Sequence, residues 1–193
     1  ARGEMTGAPT IEARSLSKQL GTVTAVDGLS LSVARGEIFG LVGPDGAGKT
    51  TTMRLLTGVM QPTSGSAIVL GLEVARDPEA VRQRIGYVPQ GSSLYADLSA
   101  RENLHFYADL FGVPKAERDR KTTELLAFSR LEPFAKRLAK NLSGGMRQKL
   151  ALCCALIHRP EVLFLDEPTI GVDPVSRREF WLLVYQLLQQ GLT

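Results

Sequence analysis

A glycine-rich segment constrains the fold of this chain more than any other feature, because few protein architectures use it. Its residues match the pattern G-x-x-x-x-G-K-[ST] and read Gly43-Pro44-Asp45-Gly46-Ala47-Gly48-Lys49-Thr50-Thr51. The apolar run 37–42 before it predicts a buried strand, and residues 51–57 after it predict a helix. In a strand–loop–helix of this kind the glycines let backbone N–H groups turn towards a phosphate, which the helix N-terminus also attracts. Lys49 would reach the β- and γ-phosphates and the Thr50 hydroxyl would ligate Mg²⁺, so we predict a nucleotide phosphate site.

The composition of the chain is that of a soluble globular protein. It has 193 residues, 44% of them hydrophobic and 22% charged, which suits one domain with a sub-domain. A net charge of +3 gives only weak support for a surface that binds nucleic acid or an anionic membrane. The sequence contains no run of eighteen apolar residues, so we predict no membrane-spanning helix. The adjacent Cys153 and Cys154 lie in an apolar helical pattern, which indicates buried, reduced thiols. Because the first residue is Ala1 rather than methionine, we expect a piece of a longer protein.

The first ninety residues carry mainly strand patterns. Alternating apolar and polar residues predict two antiparallel strands over 11–17 and 25–33, joined by a turn over 21–24. Short strands are predicted over 67–70 and 85–88, with a helix over 78–84 between them that begins at Pro78.

From Gly91 helical patterns replace the strands until residue 162. Ser99 and Glu102 form a predicted capping box that opens a helix, whose inward side chains would be Leu104, Tyr107, Leu110 and Phe111. A second helix is predicted over 116–129. The chain as a whole therefore predicts an α/β fold with a core over 10–90 and 143–193, into which a helical sub-domain of about residues 91–142 is inserted.

Two carboxylates follow the apolar run 162–165, which predicts a strand of a sheet that is covered on both faces. Asp166 and Glu167 would then emerge at the carboxyl end of that strand, where α/β sheets bind ligands. Asp166 is a candidate Mg²⁺ ligand through water, and Glu167 is a candidate base that polarises the attacking water.

A further segment resembles the Leu-Ser-Gly-Gly-Gln signature of ABC ATPases. It comprises Leu142, Ser143, Gly144, Gly145 and Met146, and it lies just upstream of the Asp-Glu strand, as in that family. Ser143 would cap a helix running to residue 158, so that backbone N–H groups face outward. The resemblance implies a P-loop NTPase fold in which this segment binds the ATP of the opposite subunit of a head-to-tail dimer.

Two shorter segments are similar to other loops of the family. Residues 87–90 resemble the Q-loop, and the resemblance implies that Gln90 takes part in catalysis, ligates Mg²⁺ together with Thr50 and Asp166, and relays nucleotide state to a membrane subunit. Residues 170–174 resemble the D-loop, which places Asp173 at the dimer interface. The resemblance covers essentially the whole chain.

The chain departs from the family pattern at several positions. Leu20 holds the place where the family stacks an aromatic residue on adenine, so we expect apolar contact there, with help from Val26. Met146 and Asp45 replace a usual glutamine and a frequent asparagine, and the methionine is typical of ATPases of drug- and polysaccharide-exporting systems. The switch histidine of the family would follow Thr193, so we expect the domain to be incomplete at its C-terminus. His105 and His158 are interpreted as structural.

The resemblance implies an ATP-hydrolysing, Mg²⁺-dependent subunit of an exporter on the cytoplasmic side of the plasma (inner) membrane, attached to it peripherally. Its partners would be a second nucleotide-binding domain, in a homodimer or heterodimer, and integral membrane subunits that bind around residues 90–97; no nucleic acid is expected. An ABC-type ATPase acting on ribosomes or DNA remains an alternative, although no heptad repeat separates Lys49 from Asp166. A nucleotide-binding module without turnover also remains open. A GTPase or small-molecule kinase is disfavoured, because the chain has no Asn-Lys-x-Asp motif.

Overall fold

A computed structural model describes residues 8–91 and 93–193 of the chain. The chain divides into two compact units. The first unit ends at Ile85 and includes Gly191–Thr193, and the second comprises Gly86–Gln190.

The first unit is built on an antiparallel sheet of four strands in the order β2-β1-β3-β4. Its strands are β1 (Ile11–Leu20), β2 (Val23–Val33), β3 (Ser64–Val69) and β4 (Leu72–Glu73). The predicted antiparallel pair at the N-terminus is confirmed, with Ile11 opposite Val33 and Leu20 opposite Val23. The turn between them is shorter than the predicted 21–24, because pairing already resumes at Val23.

Two helices complete the first unit, namely α1 (Lys49–Leu56) and α2 (Pro78–Arg82). Pro78 stands in the first turn of α2, as predicted. The core of this unit consists of apolar side chains that are less than a tenth exposed, among them Ile11, Leu16, Val33, Leu55, Leu56, Val69 and Val81. Burial of side chains of this size stabilises the fold by about 1.5–3 kcal/mol each.

The predicted strand over 37–42 is wrong. No strand is assigned there, and Ile38, Phe39 and Val42 are 51%, 44% and 99% exposed. A strand requires the backbone of a neighbouring strand for its hydrogen bonds. Within the described residues, the two strands outside the four-stranded sheet pair with each other, so this apolar run has no partner strand there.

The second unit contains the remaining helices and the second sheet. This sheet consists of β5 (Ile85–Val88), which begins one residue before the unit, and β6 (Val162–Leu165), both as predicted. The helices are α3 (Ala100–Leu110), α4 (Lys115–Phe128), α5 (Gly144–Leu156) and α6 (Pro174–Gln189), with two short 3₁₀ helices over Glu132–Phe134 and Ala139–Asn141. None of the helices in the described parts of the chain is long and apolar enough to cross a membrane.

The capping box that opens α3 is confirmed. The Ser99 hydroxyl accepts a bond from the Glu102 N–H at 3.2 Å, and the Glu102 carboxylate accepts from the Ser99 N–H at 2.7 Å. Leu104 is fully buried, but the prediction that Leu110 faces inward is wrong, since it is 61% exposed. Leu104, Ala108 and Phe111 reach the core at helical spacing, and Leu110, six residues after Leu104, lies outside that stripe.

Helix α5 is the central element of the second unit. Leu150, Cys153, Cys154 and Ile157 belong to the core that α3 and α4 also enter. Ala151 and Ala155 pack instead with Val88 of β5, against which Leu163 and Leu165 of β6 also lie. Packing on several sides therefore determines where the N-terminus of α5 lies within this unit.

Candidate functional site

The glycine-rich loop ends where α1 begins. Gly48 is the residue before the helix and has a φ of 82°, a left-handed conformation that favours glycine. A β-carbon at Gly48 would also overlap the carbonyl oxygen of Ala25 in β2. Position 48 thus requires glycine both for its conformation and for the close approach of the loop to β2.

Lys49 lies over the loop that precedes it. Its Nζ donates to the carbonyl oxygens of Gly43 and Pro44, at 2.9 Å each. The Ala47 N–H donates to the Pro44 carbonyl at 3.2 Å and closes a turn around Asp45 and Gly46. The ammonium group is therefore held beside the loop that the sequence predicts to bind phosphates.

The first turn of α1 contains the other predicted phosphate ligands. Thr50 and Thr51 are half-buried there, and the helix has no acidic residue in its first turn. The N–H groups at a helix start carry partial positive charge and have no carbonyl partner within the helix. This end of α1 is thus electrostatically suited to an anion.

The two predicted base-contacting residues differ in exposure. Leu20, at the end of β1, is 45% exposed and is accessible to a ligand. Val26 is only 8% exposed, and its side chain lies at the position a Gly48 β-carbon would contact. Packing of the loop against β2 thus explains the burial of Val26. Contact of Leu20 and Val26 with adenine remains a prediction.

Asp166 and Glu167 follow β6 directly, as the sequence indicates. Asp166 is 2% exposed, and its N–H donates to the Val88 carbonyl of β5 at 2.9 Å. The Tyr87 hydroxyl lies 3.4 Å from the Asp166 Oδ2. A buried carboxylate is costly unless hydrogen bonds or a cation compensate its charge. Tyr87 is a neighbour of this carboxylate that we did not identify from the sequence, because the two residues are far apart along the chain.

Gln90 and Glu167 are in direct contact. The Gln90 Nε2 donates to the Glu167 Oε2 at 2.8 Å. Glu167 has a φ of 50°, which is uncommon for a residue other than glycine and turns the chain sharply after Asp166. The structure thus brings together the two residues that the sequence predicts to be catalytic.

The signature-like segment forms the start of α5. The Ser143 hydroxyl accepts a bond from the Met146 N–H at 3.3 Å, so the predicted cap is present. Leu142 is buried in the core of the second unit, and Met146 packs against that core. A β-carbon at Gly144 would meet open space. Of the five residues, Ser143 and Gly144 therefore present the more accessible surface.

Asp173 caps α6. Its Oδ1 accepts a bond from the Ser176 N–H at 2.9 Å, and Pro174 occupies the first turn. The bond from Ser176 lowers the pKa of the Asp173 carboxyl, so that the side chain stays ionised at the positive end of the helix. The sequence contained this signal, since Asp before Pro at a helix start is typical of a cap; we assigned Asp173 only to an interface.

A metal site is predicted at Thr50, Gln90 and Asp166. No group of three or more His, Cys, Asp or Glu side chains able to hold a metal ion occurs in residues 8–91 and 93–193. The predicted set of Thr50, Gln90 and Asp166 contains only one such residue, and it divides between the units, with Thr50 in the first and the other two in the second.

Comparison with known proteins identifies the family. The model of the family described as ABC transporter matches residues 26–170. This match covers well over half of the chain. The chain belongs to the ABC transporter family.

Two relatives illustrate the similarity of this ABC transporter domain to other members. A probable multidrug ABC transporter ATP-binding protein of Escherichia coli (strain K12) is 42% identical over 97% of this chain and 32% of its own length. A Nod factor export ATP-binding protein I of Paraburkholderia xenovorans (strain LB400) is 44% identical over 95% of this chain and 60% of its own length. The chain thus spans 32% and 60% of the lengths of these two proteins.

Solved structures confirm the predicted fold class, an α/β P-loop NTPase with N-terminal antiparallel strands. An ATP-binding subunit of an ABC transporter has a TM-score of 0.82 at 31% identity, over 94% of this chain and 76% of that chain. A dimeric ATP-binding cassette in a post-hydrolysis state, bound to ADP and Pi, has a TM-score of 0.85 at 25% identity, over 95% of this chain and 85% of that chain.

Proposed function

We propose that this domain binds and hydrolyses ATP as a subunit of a membrane exporter. The observation that carries the proposal is the bond between Gln90, which follows β5, and Glu167, which follows β6. In addition, Lys49 lies over the glycine-rich loop of the same chain. The relatives named for multidrug and Nod factor export support the choice of an exporter. The transported compound would be selected by other subunits.

In this function the loop 43–51 holds the phosphates of ATP. Lys49 supplies a point charge to the β- and γ-phosphates, and the N–H groups at the start of α1 supply further donors. Leu20 covers one face of the base by apolar contact. Asp45 adds a carboxylate to the loop, which lowers its positive potential compared with an asparagine at that position.

Glu167 is the proposed base, because its carboxylate can polarise a water molecule that attacks the γ-phosphate. Gln90 orients this carboxylate through the 2.8 Å bond between the two side chains. The tight backbone turn at Glu167 helps to hold the group in place.

The chemistry of the donor groups fits Mg²⁺, which prefers oxygen ligands and retains several waters. Asp166 would supply a buried carboxylate, and Gln90 and Thr50 would supply an amide oxygen and a hydroxyl. When bound, Mg²⁺ would neutralise charge that develops on the β- and γ-phosphate oxygens. Asp166 is held for this role by its backbone bond to Val88 and by the neighbouring Tyr87 hydroxyl.

Hydrolysis is proposed to require two copies of the domain, identical or different. The segment Leu142–Met146 of one copy would contact the ATP of the other through the start of α5, and Asp173 would lie at the shared interface. The similar cassette that is dimeric with ADP and Pi bound supports the association of two copies. The partner membrane subunits would bind around residues 90–97, on the cytoplasmic face of the inner membrane.

The test uses the full-length protein with two substitutions and their matched controls. Lys49→Ala should abolish high-affinity Mg·ATP binding, measured by calorimetry. Glu167→Gln should still bind ATP but hydrolyse it about 10²–10⁴-fold more slowly, because it loses the charge that polarises water. Lys115→Ala and Glu161→Gln replace exposed residues of the same types and should behave as the parent. Unchanged affinity in Lys49→Ala, or near-normal turnover in Glu167→Gln, would contradict the assignment.

The alternative of a soluble ABC-type ATPase on ribosomes predicts different partners. The full-length protein should copurify with integral membrane subunits from detergent extracts. Recovery with ribosomes instead would replace the exporter by that alternative.

A further inference from the structure

The N-terminal ends of α5 and α6 are in direct contact within the second unit. Gly145 of α5 lies against Ser176 of α6 so closely that a β-carbon at Gly145 would overlap the Ser176 side chain. The neighbouring Gly144 faces open space, so the close approach is specific to position 145.

Both helix ends are capped on either side of this contact. The Ser143 hydroxyl accepts from the Met146 N–H in the turn that contains Gly145. Asp173 accepts from the N–H of Ser176, the residue that touches Gly145. A continuous series of contacts therefore runs from the Ser143 cap to the Asp173 cap.

A second link lies one turn further along both helices. The Lys149 ammonium donates to the Glu179 carboxylate. Lys149 lies four residues after Gly145 and Glu179 three after Ser176, so each helix uses one face for both links. The Lys149 side chain is only 11% exposed and that of Glu179 is 43% exposed, so loss of the Glu179 carboxylate would leave a largely buried ammonium group without this compensation.

We infer that Lys149 and Glu179 are positioning residues that hold α6 on α5, so that residues 170–174 and the segment Leu142–Met146 move as one rigid body. This inference rests on the proposed function, in which both segments meet the second copy of the domain. A body that is ordered before association loses less conformational entropy when two copies close on ATP. Loss of the ion pair should therefore weaken ATP-driven dimerisation without changing how one copy binds nucleotide.

The experiment compares charge reversals in the full-length protein carrying Glu167→Gln, which should accumulate the ATP-bound dimer. Lys149→Glu and Glu179→Lys alone should each weaken Mg·ATP-dependent dimerisation, measured by sedimentation, by about tenfold, a typical coupling between sites. The affinity of dilute, monomeric protein for Mg·ATP should stay within about twofold of the parent, since the loop 43–51 is unaffected. The double reversal should recover most of the loss, because it restores opposite charges across the contact.

A matched control is available within α4. Lys121 and Glu117 form an ion pair with side chains 11% and 47% exposed, against 11% and 43% for Lys149 and Glu179. This pair joins two turns of the same helix, so its reversal should leave dimerisation unchanged. Single reversals of Lys149 and Glu179 that dimerise like the parent, a double reversal without recovery, or an equal loss in the control would each overturn the inference.

A distance measurement separates the inference from the proposed function. Spin labels attached at the exposed positions 141 and 175 report the distance between the starts of α5 and α6 in nucleotide-free protein. Cys153 and Cys154 are buried, so a thiol-directed label should not modify them. Lys149→Glu should broaden this distance distribution, and an unchanged distribution would overturn the inference whatever the protein does with ATP. If the distribution broadens but the Glu167→Gln parent binds ATP and does not dimerise, the proposed function is wrong and the positioning of α6 stands.

Discussion

Among single residues, the proposed ATP site uses side chains of common types, and their positions in the fold give them their proposed roles. Gln90 and Glu167 are ordinary polar residues, and their direct bond makes them a candidate catalytic pair. Leu20 differs from an aromatic residue at this position, because an exposed leucine offers a nucleotide base apolar area but no aromatic ring on which to stack.

Leu20 should make the site a poor discriminator between bases. Without an aromatic partner the base loses roughly 1 kcal/mol of stacking, so ATP and GTP should compete within about an order of magnitude. Leu20→Tyr should tighten ATP binding several-fold, measured by competition with a fluorescent nucleotide. Val59→Tyr, at an exposed position after the far end of α1, serves as the control. A hundredfold preference of the parent for ATP would mean that another residue recognises adenine.

The two cysteines should be unreactive in the folded protein. Burial raises the pKa of Cys153 to about 12 and raises that of Cys154 well above its usual range. Because the thiolate is the reactive form, a thiol-specific reagent at pH 8 should modify neither residue until the protein is denatured, when both react. Thiols in the unfolded chain ionise at a lower pH than Cys153 and Cys154 in the folded protein, so the unfolded state binds fewer protons at alkaline pH. The free energy of unfolding should therefore fall as the pH rises above about 9. Rapid labelling of the folded protein would contradict the burial.

At the scale of elements, α3 holds the loop that precedes it through one buried amide. The Asn103 Nδ2 lies 3.1, 3.2 and 3.0 Å from the carbonyl oxygens of Tyr95, Leu98 and Ser99, and its Oδ1 accepts from the Tyr95 N–H at 2.9 Å. Asn103 is fully buried. Asn103 therefore helps to hold the backbone of residues 95–99, together with the bonds from the Ala139 and Lys140 N–H groups to the Leu98 and Ala96 carbonyls. Tyr95 belongs to the segment that the proposed function assigns to the membrane partner.

Asn103→Leu should destabilise the protein by about 1–3 kcal/mol, because it leaves buried backbone groups without partners. Urea unfolding measures the loss, and hydrogen exchange should become faster at residues 95–99. Asn141→Leu changes an exposed asparagine and should have little effect on either measurement. Equal stability of the two variants would show that the loop does not depend on Asn103.

At the scale of the whole molecule, the candidate residues divide between the two units. The loop 43–51 belongs to the first unit, whereas Gln90, Glu167 and the start of α5 belong to the second. Nucleotide binding and dimerisation should therefore slow hydrogen exchange in different segments of the chain.

Hydrogen exchange of the Glu167→Gln full-length protein should separate these two effects. In dilute protein Mg·ATP should slow exchange at residues 43–51, because the ligand orders the loop. At concentrations that allow dimerisation, residues 142–146 should become protected as well. Lys49→Ala should remove both effects, and ADP should give only the first. Protection of 142–146 in monomeric protein would contradict the assignment of this segment to the second copy.

The sequence alone determined those features that depend on residues within a few positions of one another. The loop before α1, the Ser99–Glu102 capping box, the Ser143 cap and the strand before Asp166 were all predicted correctly. The loop and the two caps depend on backbone conformation and hydrogen bonds that span at most four residues, so a short stretch of sequence contains their whole signal. The strand is indicated by its continuous apolar run, although its hydrogen bonds are made with the distant β5.

Features that need a distant partner became apparent only from the folded arrangement of the chain. The apolar run 37–42 has strand-like composition, yet pairing depends on a neighbouring backbone, and no strand formed there. The contact of Gly145 with Ser176, the ion pair of Lys149 with Glu179 and the bond of Gln90 to Glu167 join residues at least thirty positions apart. No periodicity or local motif specifies such pairs, because they form only when packing brings separate elements together.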